Sequence, residues 1–353
     1  SGAPASAVEV TTTYTTAQLS ELKFAQSADV MYVVHPSHPV RKISRTSHTA
    51  WTITDVDFTR GPFLDANTTT TTLTAGARTG SMTITASAVT GINSDGGFTA
   101  DDIGRLVKLH HGYAKITAVA DTTHCTATVQ DNDLYTAELE PTYVASTISF
   151  EEGDPSATGL EHNDRIVDTA KSFIKQGFLD NMTITASGTS SNNGDYLIVK
   201  VTEDTLLVSP SDDVAAEAAG SSFTLVGKLA ADDEWALGAF SPETGYPGAI
   251  AFYEQRLTLA GTTDQPQTVY FSAAADFENF TAGTNAGDAL IYTLGSNQVN
   301  IIRYLSSSRA LLVGTSGGEF SVRAGGTDEP ITPVNIQIKQ QTLSALPMCS
   351  RPR

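Results

Sequence analysis

The stretch that most constrains the fold is residues 245–280, GYPGAIAFYEQRLTLAGTTDQPQTVYFSAAADFENF. Three short runs rich in apolar and β-branched residues, 249–253, 256–260 and 268–272, are parted by Glu254-Gln255 and by the Gly/Thr/Asp/Pro stretch 261–266. Both separators suit turns, and runs of this length and composition suit strands, so the pattern predicts an antiparallel meander of three strands. The layout recurs in part at 310–322 and at 22–44, each time a strand, a turn of small or polar residues and a returning strand. A small meander cannot bury both of its faces alone. Stacking several of them is the solution of β-propellers and related radial folds.

Between these regions the texture changes. A threonine run at 68–72 marks a first boundary. The hexapeptide MTITAS then occurs twice, at 82–87 and 182–187, each time followed by a Gly/Asn/Ser/Asp loop and a strand–turn–strand ending (116–129 and 198–208). This predicts two related small β-barrel modules, at 67–150 and 151–230, the second with a short helix over 164–176. Insertions of this kind sit at exposed loops of a scaffold. The expected organisation is all-β. A propeller-like body in two sequence halves, 1–66 and 231–342, is interrupted by the two barrels, and residues 343–353 form an irregular tail.

The 353 residues suffice for two or three domains. Charged residues make up only 17%, and Thr, Ser, Ala and Gly fill the difference, as on the surfaces of all-β proteins. No run approaches the ~18 consecutive apolar residues of a membrane span, so a soluble chain is expected. The net charge of −18 argues against tight, sequence-independent binding of DNA or RNA, which needs clustered Lys and Arg. Cys125 and Cys349 offer neither a disulfide framework nor a metal-type spacing.

No enzyme announces itself. The chain has no G-x-S-x-G, no H-E-x-x-H and no phosphate-binding glycine loop, and the sequence 76–80 lacks the Lys-Ser/Thr that would complete one. His35 and His38, with His48 beyond, would need a third metal ligand, and histidines beside prolines are more often turn residues. His110, His111, His124 and Cys125 are expected at strand ends facing solvent. The pairs Asp131/Asp133 and Asp212-Asp213 lack the closing Glu of a calcium loop. Glu151-Glu152, Asp232-Asp233-Glu234, Asp276 and Glu278 are expected as solvated turn and rim charges. Asn67, Asn181 and Asn279 head N-x-S/T triplets, which matter only in a secreted eukaryotic protein. No catalytic, cofactor-binding or metal-ligating residue is expected.

Residues 24–45 (FAQSADVMYVVHPSHPVRKISR) with 51–63 (WTITDVDFTRGPF), and 247–280 (PGAIAFYEQRLTLAGTTDQPQTVYFSAAADFENF), resemble the tail nozzle, or tail tubular protein B-like, proteins of short-tailed bacteriophages. FTADDIGRLVKLHHG, from Phe98, resembles a phrase of their inserted modules. The resemblance spans residues 20–342. It implies a homohexameric ring below the portal and adaptor that closes the channel retaining packaged DNA, then conducts DNA outward at ejection. It further implies other tail proteins (adaptor, fibres) as partners, passage of DNA without specific binding, and a place in the virion after assembly in the host cytoplasm. Family members are longer at both ends, so strands that complete the body are expected outside residues 20–342. An acidic lumen would repel phosphate and let DNA slide. The other function to weigh is a receptor- or carbohydrate-binding β-rich tail or surface protein; a polysaccharide-degrading propeller ranks last. Phe24, Tyr32, Trp51, Phe58, Phe252, Tyr253, Leu257, Tyr270, Phe271, Phe277 and Phe280 are expected in the body's core. Arg256 or Arg303 is expected to pair with a carboxylate of its own body, such as Asp276 or Glu278.

Overall fold

The computed structural model describes residues 8–77, 80–109, 112–130, 141–154, 156, 163–229, 231–295, 300–326 and 329–342. His110, His111, Asp131, Asp133 and residues 343–353 lie outside them. The chain is all-β and divides into two compact units, one of residues 1–64 with 238–353 and one of residues 65–237. No helix among the described residues is long and apolar enough to cross a membrane.

The first unit holds three four-stranded antiparallel meanders. One runs β1 (Lys23–Ser27), β2 (Val30–His35), β3 (His38–Ser47) and β4 (Ala50–Asp55). The second runs β18 (Ala249–Tyr253), β19 (Arg256–Ala260), β20 (Thr268–Phe271) and β21 (Leu290–Thr293). The third runs β22 (Ile302–Ser307), β23 (Leu311–Thr315), β24 (Glu319–Ala324) and β25 (Ile336–Gln340). The expected three-stranded meander therefore gains a fourth strand, β21. The separator Glu254-Gln255 is a two-residue turn with both φ positive, 47° and 60°, which matches the twist of the flanking strands.

The three first strands β1, β18 and β22 lie side by side, with β18 between the others. Lys23 on β1 fastens them: its ammonium donates to Gly248 O, 2.6 Å away, and to Arg303 O. The second meander is covered on both faces. Ala249, Ala251, Tyr253, Val269 and Phe271 join a core with Leu311, Val313, Phe320 and Val322 of the third meander. On the opposite face Ile250, Leu257, Leu259 and Tyr270 join a core with Tyr32, Val34 and Val40 of the first. The first and third meanders bury one face each.

That asymmetry corrects part of the expected core. Tyr32, Tyr253, Leu257, Tyr270, Phe271 and Phe280 are buried, and Phe58, Phe252 and Phe277 pack half-buried against the core. Phe24, however, is 66% exposed and Trp51 40%, because both point from the uncovered face of the first meander. Trp51 lies under the Arg45 guanidinium at 5.9 Å.

The second unit contains two sheets. The first has strands β5 (Leu73–Ala75), β6 (Ser81–Ala86), β7 (Leu106–Leu109), β8 (Gly112–Asp121), β9 (His124–Val129) and β17 (Ala236–Leu237), in the order β17-β7-β8-β9-β6-β5. The second has β10 (Thr142–Ala145), β11 (Ile148–Glu151), β12 (Arg165–Asp168), β13 (Met182–Ser187), β14 (Gly194–Val201), β15 (Thr205–Val208) and β16 (Phe223–Leu229), in the order β10-β16-β13-β14-β15-β12-β11. Apart from β10 the two orders are the same, strand for strand. Each sheet also curls back on itself, since Leu73 bridges Asp232 ahead of β17 and Phe150 bridges Glu217 ahead of β16.

The repeat holds in detail. Phe98 N–H donates to Thr122 O as Phe173 N–H does to Glu203 O, Ala86 N–H to Thr123 O as Asp168 N–H to Asp204 O, and Gly104 N–H to Ile116 O as Asn181 N–H to Ile198 O. Both β8 and β14 break register at the same place, after Ile116 and after Ile198. Gly104 and Asn181 both take positive φ.

This register corrects the role expected for MTITAS. Its first copy forms β6 and its second β13, yet β6 corresponds to β12 and β13 to β7. The hexapeptide recurs because both strands turn one face into a core, with Met82, Ile84, Ala86 and Met182, Ile184, Ala186 buried and threonines between them. The helix expected over 164–176 is also corrected. Its first part is strand β12, and only Phe173–Gln176 is helical, ended by Gly177 at φ 90°.

Candidate functional site

Of the residues singled out by type, the structure brings together His35 and His38. They face each other across the β2–β3 hairpin, ring centroids 5.1 Å apart. The sequence 8–21 supplies the third ring: Tyr14 stands edge-on to His38 at 5.0 Å and 6.3 Å from His35. The Arg41 guanidinium lies 5.0 Å from the Tyr14 ring, donates to Thr13 Oγ1 at 2.7 Å and pairs with Asp55 at 2.8 Å. His35 is buried; its Nδ1 accepts from Ser37 N–H at 3.0 Å, and its Nε2, 3.2 Å from Glu21 Oε2, makes no hydrogen bond among the described residues. His38 Nε2 and Tyr14 Oη are buried without a hydrogen-bond partner among the described residues. Burial, then the neighbouring His35 and Arg41, push the His38 pKa down from 6.5, against an opposing pull from Asp55. Burial likewise raises the Tyr14 hydroxyl. His48 stands apart, its Nδ1 3.1 Å from Arg45. Tyr14 carried no signal in sequence, because a lone tyrosine in a polar stretch has no periodicity to betray it.

Three buried polar constellations are structural. In the first sheet's region of the second unit Asp102 and Arg105 pair at 2.7 Å with both side chains out of solvent. Asp102 Oδ2 accepts from Thr99 N–H and Asn93 Nδ2, and Arg105 also donates to Asn93 Oδ1. In the second sheet of that unit Asp168 stands where the first has Ala86. Burial would raise its carboxyl, but donors from Thr147, Ala170 N–H, Tyr143 and Ser172 N–H prevail and hold it below the usual range. In the first unit Arg256 is buried and donates to the carbonyls of Ser272, Ala286 and Asp288 at 2.6–2.7 Å.

Those contacts correct several expectations. Arg256 is held by carbonyls and not by Asp276 or Glu278, and Arg303 is exposed with its own carbonyl taken by Lys23. Glu278 is no rim charge: it accepts from Lys42 at 2.6 Å and from Tyr32 Oη at 3.2 Å. Asp232 is buried and pairs backbone to backbone with Leu73, and Glu151 pairs with Arg165. Cys125 does not face solvent; it is buried, and burial followed by the nearby Asp102 charge pushes its thiol up to about 12. His124 does stand at a strand end, paired with Asp121. Asp212 caps Leu197 N–H at 2.7 Å. Among the described residues no three His, Cys, Asp or Glu side chains gather as metal ligands.

No protein-family model matches the chain. No curated protein matches it in sequence either. Among solved structures it is similar to one described as phage phi92 endosialidase, at 10% identity and a TM-score of 0.20, over 90% of this chain. The chain spans 56% of the length of that structure.

Proposed function

We propose that this chain is a non-catalytic structural component of a bacteriophage tail, of the nozzle type, carried in the virion and assembled in the host cytoplasm. The observation that supports it is the stack of three meanders on their adjacent first strands, the arrangement by which propeller blades are laid. Its two outer faces keep exposed apolar side chains: Phe24 and Trp51 on the first meander, Tyr304 and Leu312 on the third. Exposed faces of this kind suit further blades or neighbouring copies, so the reading includes a ring of copies acting through geometry. DNA would pass without being gripped, in keeping with the net charge of −18. Light scattering over a concentration series tests assembly. A mass near that of six copies of 37.2 kDa is the expected result; a monomer at every concentration, also after mixing with the tail proteins of the same phage, overturns it.

A second reading, a receptor- or carbohydrate-binding tail protein, is supported by the duplicated barrels. They leave Ile103 on the first and Val144, Ile174 and Val199 on the second exposed, and isolated apolar groups of this size serve protein or glycan contact when they fall together. Binding of the whole chain to host cells or a glycan array, lost when Ile174 and Val199 are changed to Ser, would favour this reading over the nozzle.

A further inference from the structure

The segment 8–21 precedes the first strand and is nearly all exposed. Val10, Tyr14 and Gln18, spaced four apart, are its exceptions. Gln18 contributes only local bonds, its Oε1 accepting from Thr15 N–H. Among the described residues, three polar or ring contacts hold this segment to the body. The Tyr14 ring sits between His38 and Arg41, Thr13 accepts from Arg41, and Glu21 reaches His35. A tyrosine edge docked on a neutral imidazole whose Nε2 has no partner is a contact that one proton can undo. Once protonated, Nε2 must donate, and no acceptor stands in front of it among the described residues. The new cation would also lie beside Arg41 and the His35 ring.

We propose that segment 8–21 is an acid-released strap over the β2–β3 hairpin, with His38 as its trigger and Tyr14 as its catch. The charged and titratable groups that face the trigger are Tyr14 on the strap, His35 on β2, Arg41 on β3 and Asp55 on β4. Glu21 acts only through His35. His35 and Arg41 oppose the charged form and Asp55 favours it, and Asp55 is already engaged by Arg41. The sign follows from the depressed pKa of His38. The closed strap excludes a proton that the open one accepts, so closure is fully favoured above pH 6.5 and weakens as pH falls toward the lowered value. Release bares His35, His38 and Arg41 at the hairpin end without unpairing any strand. It is independent of the tail reading.

The ring-proton resonances of Tyr14 in the whole chain, followed by NMR at pH 7.5 and at successively lower pH, test this. The ratio of undocked to docked Tyr14 ring should rise by up to about tenfold per pH unit once His38 begins to protonate, while the amides of β13 and β20 keep their exchange protection. His38→Phe keeps an aromatic ring and removes the proton, so the dependence should vanish. Protection in β2 and β3 reports whether each variant folds. The proposal fails if the Tyr14 ring resonances do not respond to pH. It fails equally if the response survives in His38→Phe but is lost in Glu21→Gln.

Discussion

Replacing Asp102 by Ala is expected to cost ~3–5 kcal/mol and to unravel the six-stranded sheet of the second unit before any other part of the chain, because it strands a buried guanidinium. In the native protein the Asp102 carboxylate meets Arg105 with one oxygen and the Asn93 amide and Thr99 N–H with the other. Removing it takes the acceptor from all three donors, and water cannot replace it at a site with almost no exposure. Asp102→Asn keeps the shape but not the charge and should fall between. The double change Asp102→Leu/Arg105→Met, which removes both charges together, should cost far less than Asp102→Ala alone. The chain offers a clean reporter: it has two tryptophans, and only Trp235, buried and donating its indole N–H to Thr71 O, belongs to the second unit. Urea unfolding followed by Trp235 emission in a Trp51→Phe background measures the loss. A loss below about 1 kcal/mol for Asp102→Ala would mean that the pair is solvated in solution and that the argument from burial is wrong.

How far such features could be read from sequence depends on whether they leave a period. The strands did: the alternation in 182–187 and the apolar runs at 249–260 fix strands because side chains alternate across a sheet. Identity proved a poorer guide than pattern. MTITAS matched letter for letter at two places that are not equivalent, while the real correspondence, β7 with β13 and β12 with β6, sets LVKL against TITA, segments that share little but two buried positions, Val107 with Ile184 and Leu109 with Ala186. Position in a stack left no local trace. Phe24 and Tyr32 look alike in sequence, and only the layering of the meanders makes one exposed and the other buried. The polar contacts were least legible. Arg256 is satisfied by carbonyls, which every residue possesses, so no pattern of side chains points to them. The Tyr14–His35–His38 cluster was half visible, as two histidines three apart, and its third member arrives from a segment without pattern.

The layering makes a second large and specific effect. Phe271 sits on β20, in the middle meander, with no exposed surface, and its ring is enclosed by residues of both the second and third meanders. Truncation to Ala removes most of a large side chain from a site walled by the second and third meanders, whose backbone cannot close over the gap, and the expected loss is ~3–5 kcal/mol. Phe24→Ala, the same chemical change on the uncovered face of the first meander, should stay within about 0.5 kcal/mol. The contrast is the test, because residue type and hydrophobicity are equal while the cover differs. Hydrogen exchange of the β20 and β23 amides gives the two values in the intact chain. Should Phe24→Ala prove as damaging as Phe271→Ala, the outer face of the first meander is covered in solution. Assembly through that face would then be the first explanation to pursue, with the mass of the Phe24→Ala variant deciding it.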